Sequence, residues 1–294
     1  MVGVAHHTSQ VFIVQNIIYD FQKLKGHRTY IMGILNLTPD SFSDGGIFSS
    51  VEKALEHAEI MVNDGADIID IGGESSRPGS EPISAEEESK RVLPVIEELV
   101  KRLKIPISVD TYKASIAKQA LELGVSMVND ISSLSADPDM ASVIADYGSP
   151  VVLMHKKGSP KDMQINPNYS SLIPEIISFF RSRIEYALDS GISSDKIIID
   201  PGIGFGKTLE HNLEIIRRLG EFKCLGKPIM VGPSRKSFIG KVLDLPVDDR
   251  VEGTAAAVAI AIMNGADIVR VHDVKEMVRV AHMTDAIVKR KDEG

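Results

Sequence analysis

A single cysteine, Cys224, stands among the 294 residues, which excludes an internal disulfide framework and any cysteine-cluster zinc site. Long apolar runs are missing too. The longest, from Ala255 to Met263, has nine residues, well short of the ~20 that a membrane span needs. The opening MVGVAHHTSQ carries no basic run, so no secretory signal is expected and the reading is a cytoplasmic protein. Positive charge is in deficit: 33 Lys and Arg against 41 Asp and Glu leave a net −8. That balance argues against a nucleic-acid-coating surface but leaves room for one local basic pocket.

What is present suffices for a core. Hydrophobic residues make up 43% and charged residues 25%, a globular composition rather than a disordered one. Length alone allows two domains or one α/β barrel of about 250 residues. Eight short runs rich in β-branched residues read as strands: 30–36, 67–72, 106–110, 127–131, 151–155, 197–200, 228–232 and 268–272. Segments of helical spacing lie between them, among them 51–64, 85–102, 115–123, 171–190 and 209–219. The segment 85–102 opens on Ser84 with Glu87 three residues on, the start of a capping box. Nearly continuous apolar strands alternating with helices imply a parallel sheet covered on both faces. Eight such units match a closed (β/α)8 TIM barrel, with a doubly wound open sheet as the competitor. The barrel is expected over 30–294 as a single domain, and 1–29 as a short N-terminal extension, a hairpin at the barrel bottom.

A weak repeat agrees with this. GADIID at Gly65, GVSMVN at Gly124 and GADIVR at Gly265 each place a glycine where a helix ends, then an apolar strand. Polar residues then recur near strand C-termini: Asn36, Asp70, Asp110, Asn129, His155, Asp200 and Arg270. In a parallel barrel those ends converge on the face that carries the active site.

The connections after these strands carry the chemistry. Loop 37–50 (LTPDSFSDGGIFSS) is long, polar and glycine-rich, with Phe42 embedded in it, and loops of that length are functional or mobile. Loop 72–83 (GGESSRPGSEPI) carries Arg77, whose guanidinium either clamps an anion or pairs with a nearby Glu. The segment DPGIGFGKT from Asp200 misses the phosphate-cradling pattern because Pro201 stands where glycine is required. Its glycines suit a close approach of backbone to a flat ligand, with Phe205 offering a ring face. A buried Asp200 needs a partner, so it pairs with Lys236 or binds a donor-rich heterocycle. In GPSRKS (Gly232 to Ser237) the serines suit a helix cap, and the helix N-terminus suits a carboxylate or phosphate. Arg270 and His272 point the same way from the last strand, toward an anion pocket or into a structural salt bridge. Asp110, Asn129 and Asp200 with Lys236 thus form a set for the edge of a planar heterocycle, while Arg77, Arg270 and His272 seek anions. The carbonyl of Asn36 suits a hard cation such as Mg2+. Together they suggest a heterocyclic phosphate or diphosphate substrate.

Seven blocks now carry a resemblance: MGILNLTPDSFSDGG (Met32 to Gly46), GGESSRPG (Gly72 to Gly79), SVDT (Ser108 to Thr111), NDIS (Asn129 to Ser132), DPGIGFGK (Asp200 to Lys207), SRKSFIG (Ser234 to Gly240) and RVHD (Arg270 to Asp273). In order and position the chain resembles the dihydropteroate synthases over about residues 28 to 290. The resemblance implies a pterin-binding barrel, a transferase joining 4-aminobenzoate to 6-hydroxymethyl-7,8-dihydropterin diphosphate. Pyrophosphate and 7,8-dihydropteroate would be released along an S_N1-like path. It implies that Asp110, Asn129, Asp200 and Lys236 hold the pterin, and that Asn36 ligates Mg2+ on the diphosphate. Ser76, Arg77, Arg270 and His272 would meet the diphosphate. Ser76, Arg77, Pro78, Phe205, Lys236 and Ser237 would border the aminobenzoate. Phe42 and Asp44 would belong to the first loop, with Asp44 meeting Arg77 on closure. Asp110, Asp200, Lys236, Arg77 and Asp44 would be the catalytic set. The resemblance also implies a homodimer and sensitivity to sulfonamides.

Two positions depart from the family pattern. Ser76 replaces the usual threonine and loses a methyl group toward the aminobenzoate ring. Lys156 stands where methionine is usual and adds charge at the rim. The rival readings are a methyltetrahydrofolate-corrinoid methyltransferase and a non-catalytic pterin-binding protein. The first has no need of SRKS and RVHD, and the second needs neither loop.

Overall fold

The computed structural model describes residues 28–38, 46–75, 79–158, 163 and 167–288, the side chains of 46–50 excepted. The expected hairpin at the start of the chain falls almost wholly outside the described residues. Eight strands are β1 (Tyr30–Asn36), β2 (Ile68–Gly72), β3 (Ile107–Asp110), β4 (Met127–Asp130), β5 (Val151–Met154), β6 (Ile197–Asp200), β7 (Met230–Val231) and β8 (Ile268–Val271). They pair in parallel in the order β6-β5-β4-β3-β2-β1-β8-β7. A parallel bridge between Ile199 and Ile229 joins the two outer strands, so the sheet closes as a (β/α)8 barrel and the open doubly wound alternative is overturned.

Helices return the chain to the start of each next strand: α1 (Gly46–Asn63), α2 (Ala85–Arg102), α3 (Ala114–Leu123), α4 (Met140–Tyr147), α5 (Leu172–Asp189) and α6 (Leu209–Arg217). The β7–β8 connection holds two, α7 (Ser237–Leu243) and α8 (Val251–Met263), and α9 (Val274–Val288) follows β8. The repeated glycines do the work expected of them. Gly65, Gly124 and Gly265 sit at φ +103°, +106° and +105°, the left-handed conformation that glycine adopts without a Cβ penalty. The next residue's N–H reaches back to a carbonyl five positions earlier in each case: Ala66 to Met61, Val125 to Ala120 and Ala266 to Ala261. These are Schellman endings. The capping box at α2 is only half formed. Ser84 Oγ accepts from Glu87 N at 3.1 Å, but the Glu87 carboxylate is drawn one turn onward to Arg91 Nε at 3.0 Å.

Strand alternation sorts the interior. Outward residues such as Ile69, Ile71, Val109, Val128, Leu153, Ile199 and Val269 join the helix faces in one large apolar core. Inward residues Met32, Ile68, Met127, Val152, Ile198, Met230 and Ile268 make a separate plug inside the barrel. Each buried aliphatic side chain contributes about 1.5–3 kcal/mol, so the lower barrel has no place for an unpaired charge. The next inward positions toward the strand C-termini are Asp70, Asn129, Asp200 and Arg270, which stack the polar groups above the plug. Among the described residues no helix is long and apolar enough to cross a membrane.

Candidate active site

The polar layer is one connected network. Arg270 on β8 donates from Nε to Asp70 Oδ2 at 2.6 Å and from Nη2 to Asp110 Oδ2 at 2.9 Å. Asn129 on β4 donates from Nδ2 to the same Asp70 oxygen at 3.1 Å. Of the two readings left open for Arg270, the structure shows the salt bridge, and its partners are residues of the heterocycle-clasping face. Asp70 is fully buried, and Asp70 Oδ1, Asn129 Oδ1 and Ser108 Oγ have no hydrogen-bond partner among the described residues. Because Asn129 turns its amide nitrogen to Asp70, its oxygen is left as a bare acceptor. Burial pushes the Asp110 carboxyl up to about 7, with Arg270 opposing the rise and the Asp70 charge adding to it.

Across the barrel, Asp200 Oδ1 accepts from Gly202 N at 2.7 Å. Burial raises its pKa to about 6, against the pull of that N–H and of Lys236 and Lys207. Of the two compatible readings for Asp200, the ion pair with Lys236 does not form among the described residues. Lys236 Nζ lies instead over the Phe205 ring, 4.2 Å from its centroid, so the ring face expected for a ligand carries this cation. Burial, with Arg270 nearby, lowers Lys236 to about 8.

Two glycines of DPGIGFGK, Gly202 and Gly206, are required by the fold itself. Gly202 and Gly206 have φ +72° and +64°, and a Cβ on them would fall 1.9 Å from the His155 carbonyl oxygen and 2.1 Å from that of Lys157. Only glycine lets this loop lie against the β5 end. Lys207, given no role from sequence, ties it down. Its buried ammonium donates to the Phe205 carbonyl at 2.9 Å and the His155 carbonyl at 3.2 Å, and meets His155 Nδ1 at 3.1 Å. Three acceptors use all three of its N–H bonds. No phosphate-cradling motif foretold this, because two of the three acceptors belong to His155, a residue 52 positions away just beyond β5.

Ile131, Met154, Met163 and Phe205, with Tyr112 against them, form a small apolar cluster contributed by residues at or beyond strand C-termini. Lys156, the unusual rim lysine, is half-buried with Nζ 5.9 Å from the Tyr112 ring centroid, and burial lowers its pKa. Glu74 joins this rim, accepting from Tyr112 OH at 2.8 Å and Lys113 Nζ at 2.6 Å.

Neither serine of SRKS caps α7: its N-cap is Lys236, with no side-chain cap bond, and Ser237 opens the helix. Ser234 Oγ is engaged by His272, accepting from its N–H at 3.2 Å and lying 3.0 Å from its Nδ1. Burial and the Arg270 charge lower His272 to about 3, so it faces the site as a neutral ring and not as the cation an anion pocket would favour. Asn36 ends β1 beside Gly72, where a Cβ would stand 3.8 Å from Asn36 Oδ1 and 3.6 Å from Asp110 Oδ2. Phe42, Asp44, Ser76, Arg77 and Pro78 lie outside the described residues. The structure thus brings together Asn36, Asp110, Asn129, Asp200, Phe205, Lys236, Arg270 and His272 at one end of the barrel. It adds Asp70, which the sequence marked only as a strand-end polar residue.

A family model described as pterin binding enzyme matches residues 32–272. The dihydropteroate synthase of Bacillus subtilis (strain 168) is 51% identical over 263 residues, covering 90% of each chain. That of Escherichia coli (strain K12) is 45% identical over 263 residues, covering 90% of this chain and 93% of the other. A crystal structure of the Clostridium difficile dihydropteroate synthase in the presence of pteroic acid matches with a TM-score of 0.86 at 52% identity, over 90% of this chain and 99% of that one. A Yersinia pestis dihydropteroate synthase with a sulfonamide drug complex matches with a TM-score of 0.84 at 46% identity, over 88% and 94% of the two chains. The strand-end network, the plugged barrel and these likenesses meet in one conclusion: the chain belongs to the pterin binding enzyme family.

Proposed function

We propose that the protein joins 4-aminobenzoate to 6-hydroxymethyl-7,8-dihydropterin diphosphate, giving 7,8-dihydropteroate and pyrophosphate. The observation that carries this reading is the acceptor-rich layer of Asp110, Asn129 and Asp200 above an apolar plug, with Lys236 over Phe205 at its rim. Acceptors in that arrangement suit the amine and ring N–H groups of a pterin edge. Ile131, Met154 and Phe205 supply an apolar wall for its faces.

Catalysis follows from charge placement. As the bond between the pterin methylene carbon and the diphosphate oxygen stretches, the electron pair leaves with diphosphate and positive charge spreads into the electron-rich pterin. Anionic Asp110 and Asp200 stabilise that charge where it develops. The aminobenzoate nitrogen, an aniline-type nucleophile that needs no strong base, then gives its lone pair to the methylene carbon, and its proton passes to solvent. Displaced from Asp110 by the pterin, the Arg270 guanidinium becomes available to the diphosphate. Ser237, Phe205 and Lys236 border the aminobenzoate, and Ser76, Arg77, Pro78, Phe42 and Asp44 complete the site in this reading.

The donor set fits magnesium that arrives on the diphosphate. Asn36 Oδ1 is a hard oxygen at the mouth of the barrel, and among the described residues no group of three His, Cys, Asp or Glu could hold a metal by itself. When bound, the ion would neutralise leaving-group charge. The apolar residues exposed on α8 and α9 suit a second copy of the chain, and the reading is a cytoplasmic homodimer.

The test is direct. Protein, Mg2+ and the pterin diphosphate are incubated with and without 4-aminobenzoate, and pyrophosphate is measured. Release that depends on aminobenzoate and yields to a sulfonamide supports the proposal, while release indifferent to aminobenzoate rejects it.

A further inference from the structure

The turn after β7 is made by one residue against its own sterics. Arg235 sits at φ +56°, in the left-handed region that non-glycine residues seldom visit. Such strain persists only where the surroundings over-determine it, and Arg235 is held at every polar handle. Its N–H donates to Thr254 Oγ1 at 3.1 Å. Its carbonyl accepts from Arg250 Nη1 at 3.0 Å. Its guanidinium forks onto Asp273, with Nε 3.0 Å from Oδ2 and Nη2 on Oδ1. A bidentate fork of this kind fixes orientation as well as distance.

Asp273 follows β8, so the fork ties the loop after β7 to the loop after β8. One step inward, His272 N donates to Ser234 Oγ, a second rung between the same two loops. The rungs explain why SRKS and RVHD occur together in one chain. Ser234 and Arg235 face His272 and Asp273, and the residues beside them, Lys236 and Arg270, face the barrel mouth. The left-handed turn at 235 is what reverses the chain so that Lys236 comes back over Phe205.

We infer that Arg235 and Asp273 are a positioning pair: the fork holds residue 235 left-handed and thereby aims Lys236 into the site. Neither side chain touches substrate in this account. The inference rests on the proposed function only for the identity of what Lys236 meets.

Glycine separates this role from others, because it adopts positive φ with no partner to hold it. Three variants are compared with wild type: Asp273→Asn, Arg235→Gly and the two combined. Each is measured for kcat and KM toward the pterin diphosphate and for binding of 6-hydroxymethylpterin by its own fluorescence, with thermal melting to follow folding. Asp273→Asn, which weakens the fork while an arginine still has to be held left-handed at 235, is expected to lower kcat/KM about tenfold or more and to weaken pterin binding in parallel. Arg235→Gly is expected to stay within about threefold of wild type, and to restore the Asp273→Asn protein to that level. An Asp273→Asn protein within threefold of wild type overturns the inference. So does an Arg235→Gly protein as impaired as Asp273→Asn, since the arginine side chain would then be needed for itself. Should wild type show no aminobenzoate-dependent release, the proposed function fails, and pterin binding still decides the positioning role.

Discussion

Arg270 and Asp70 stand 200 positions apart in the chain and meet at 2.6 Å inside the barrel. The same Asp70 oxygen also accepts from Asn129. One buried carboxylate therefore sets two partners at once: it turns the Asn129 amide so that its oxygen faces outward as an acceptor, and it holds the Arg270 guanidinium beside Asp110. Asp70→Asn keeps the shape and removes the charge. Hydrogen bonds to charged groups are worth about 1.5–3 kcal/mol, so kcat/KM for the pterin diphosphate should fall about 10- to 100-fold. KM for aminobenzoate should move far less, because neither Asn129 nor Asp110 borders that substrate. Steady-state kinetics with each substrate varied in turn check this; an unchanged kcat/KM for the pterin diphosphate would show that Asp70 is structural only.

This relationship also marks what a sequence can and cannot say. All eight strands and their polar C-terminal residues were legible because short β-branched apolar runs and the glycines that end helices are local signals. The strand at 228–232 shrinks to Met230–Val231: at its start Pro228 has no N–H to give to a ladder, and Ile229 gives its own to the Asp267 carboxylate at 2.9 Å. Asp70 was legible as a strand-end polar residue but not as the hub of a network, because its partners are fixed by barrel register. Lys207 and Ser234 were not legible either, since their distant partners, His155 and His272, follow β5 and β8. The serines near α7 suit a cap by composition, yet a strained turn at Arg235 sends Ser234 to His272 instead.

The titrating groups of the free enzyme set a pH window. Burial holds Asp200 at about 6 and Asp110 at about 7, and lowers Lys236 to about 8. The mechanism needs both carboxylates anionic and the ammonium charged. The profile of kcat/KM for the pterin substrate should therefore rise through pH 6 to 7 as the carboxylates lose protons. It should fall above pH 8 as Lys236 loses its own. That parameter reports the free enzyme. Lys236→Arg, which keeps its proton, should remove the alkaline limb whatever it does to the maximum rate. A flat profile from pH 5.5 to 9 would separate these groups from the chemistry.

Two glycines with similar dihedral angles should respond differently to alanine. Gly202 and Gly79 have φ +72° and +84°, but a Cβ on Gly202 strikes the His155 carbonyl oxygen, while one on Gly79 meets nothing within 4 Å. Gly79→Ala should cost about 1 kcal/mol, the left-handed penalty alone. Gly202→Ala must also push the loop off the β5 end, breaking Asp200's bond to Gly202 N. A loss of about 3 kcal/mol or more is expected, with pterin binding lost alongside. Urea unfolding measures both, and equal losses would mean that the backbone contact at His155 is not what requires glycine.

On the far side from the loops, α8 and α9 leave large apolar side chains in water: Ile260 and Met263 are 44% and 54% exposed, and Met283 and Ile287 are 64% and 68% exposed. Helix α8 also carries few charges, with Glu252 near its start and an uninterrupted apolar stretch after Thr254. A stable interface removes about 1,200–2,000 Å² from water, and the exposed apolar residues of these two neighbouring helices meeting their own copies would supply a core for one. The occupant expected is a second copy of the chain. Light scattering after gel filtration should give twice the chain mass at micromolar concentration. Ile260→Glu with Met263→Glu should bring that to the single mass, because four carboxylates would be buried against one another across a two-fold interface. A single-mass wild type, or a double variant that stays at twice the mass, would place the contact elsewhere or remove it.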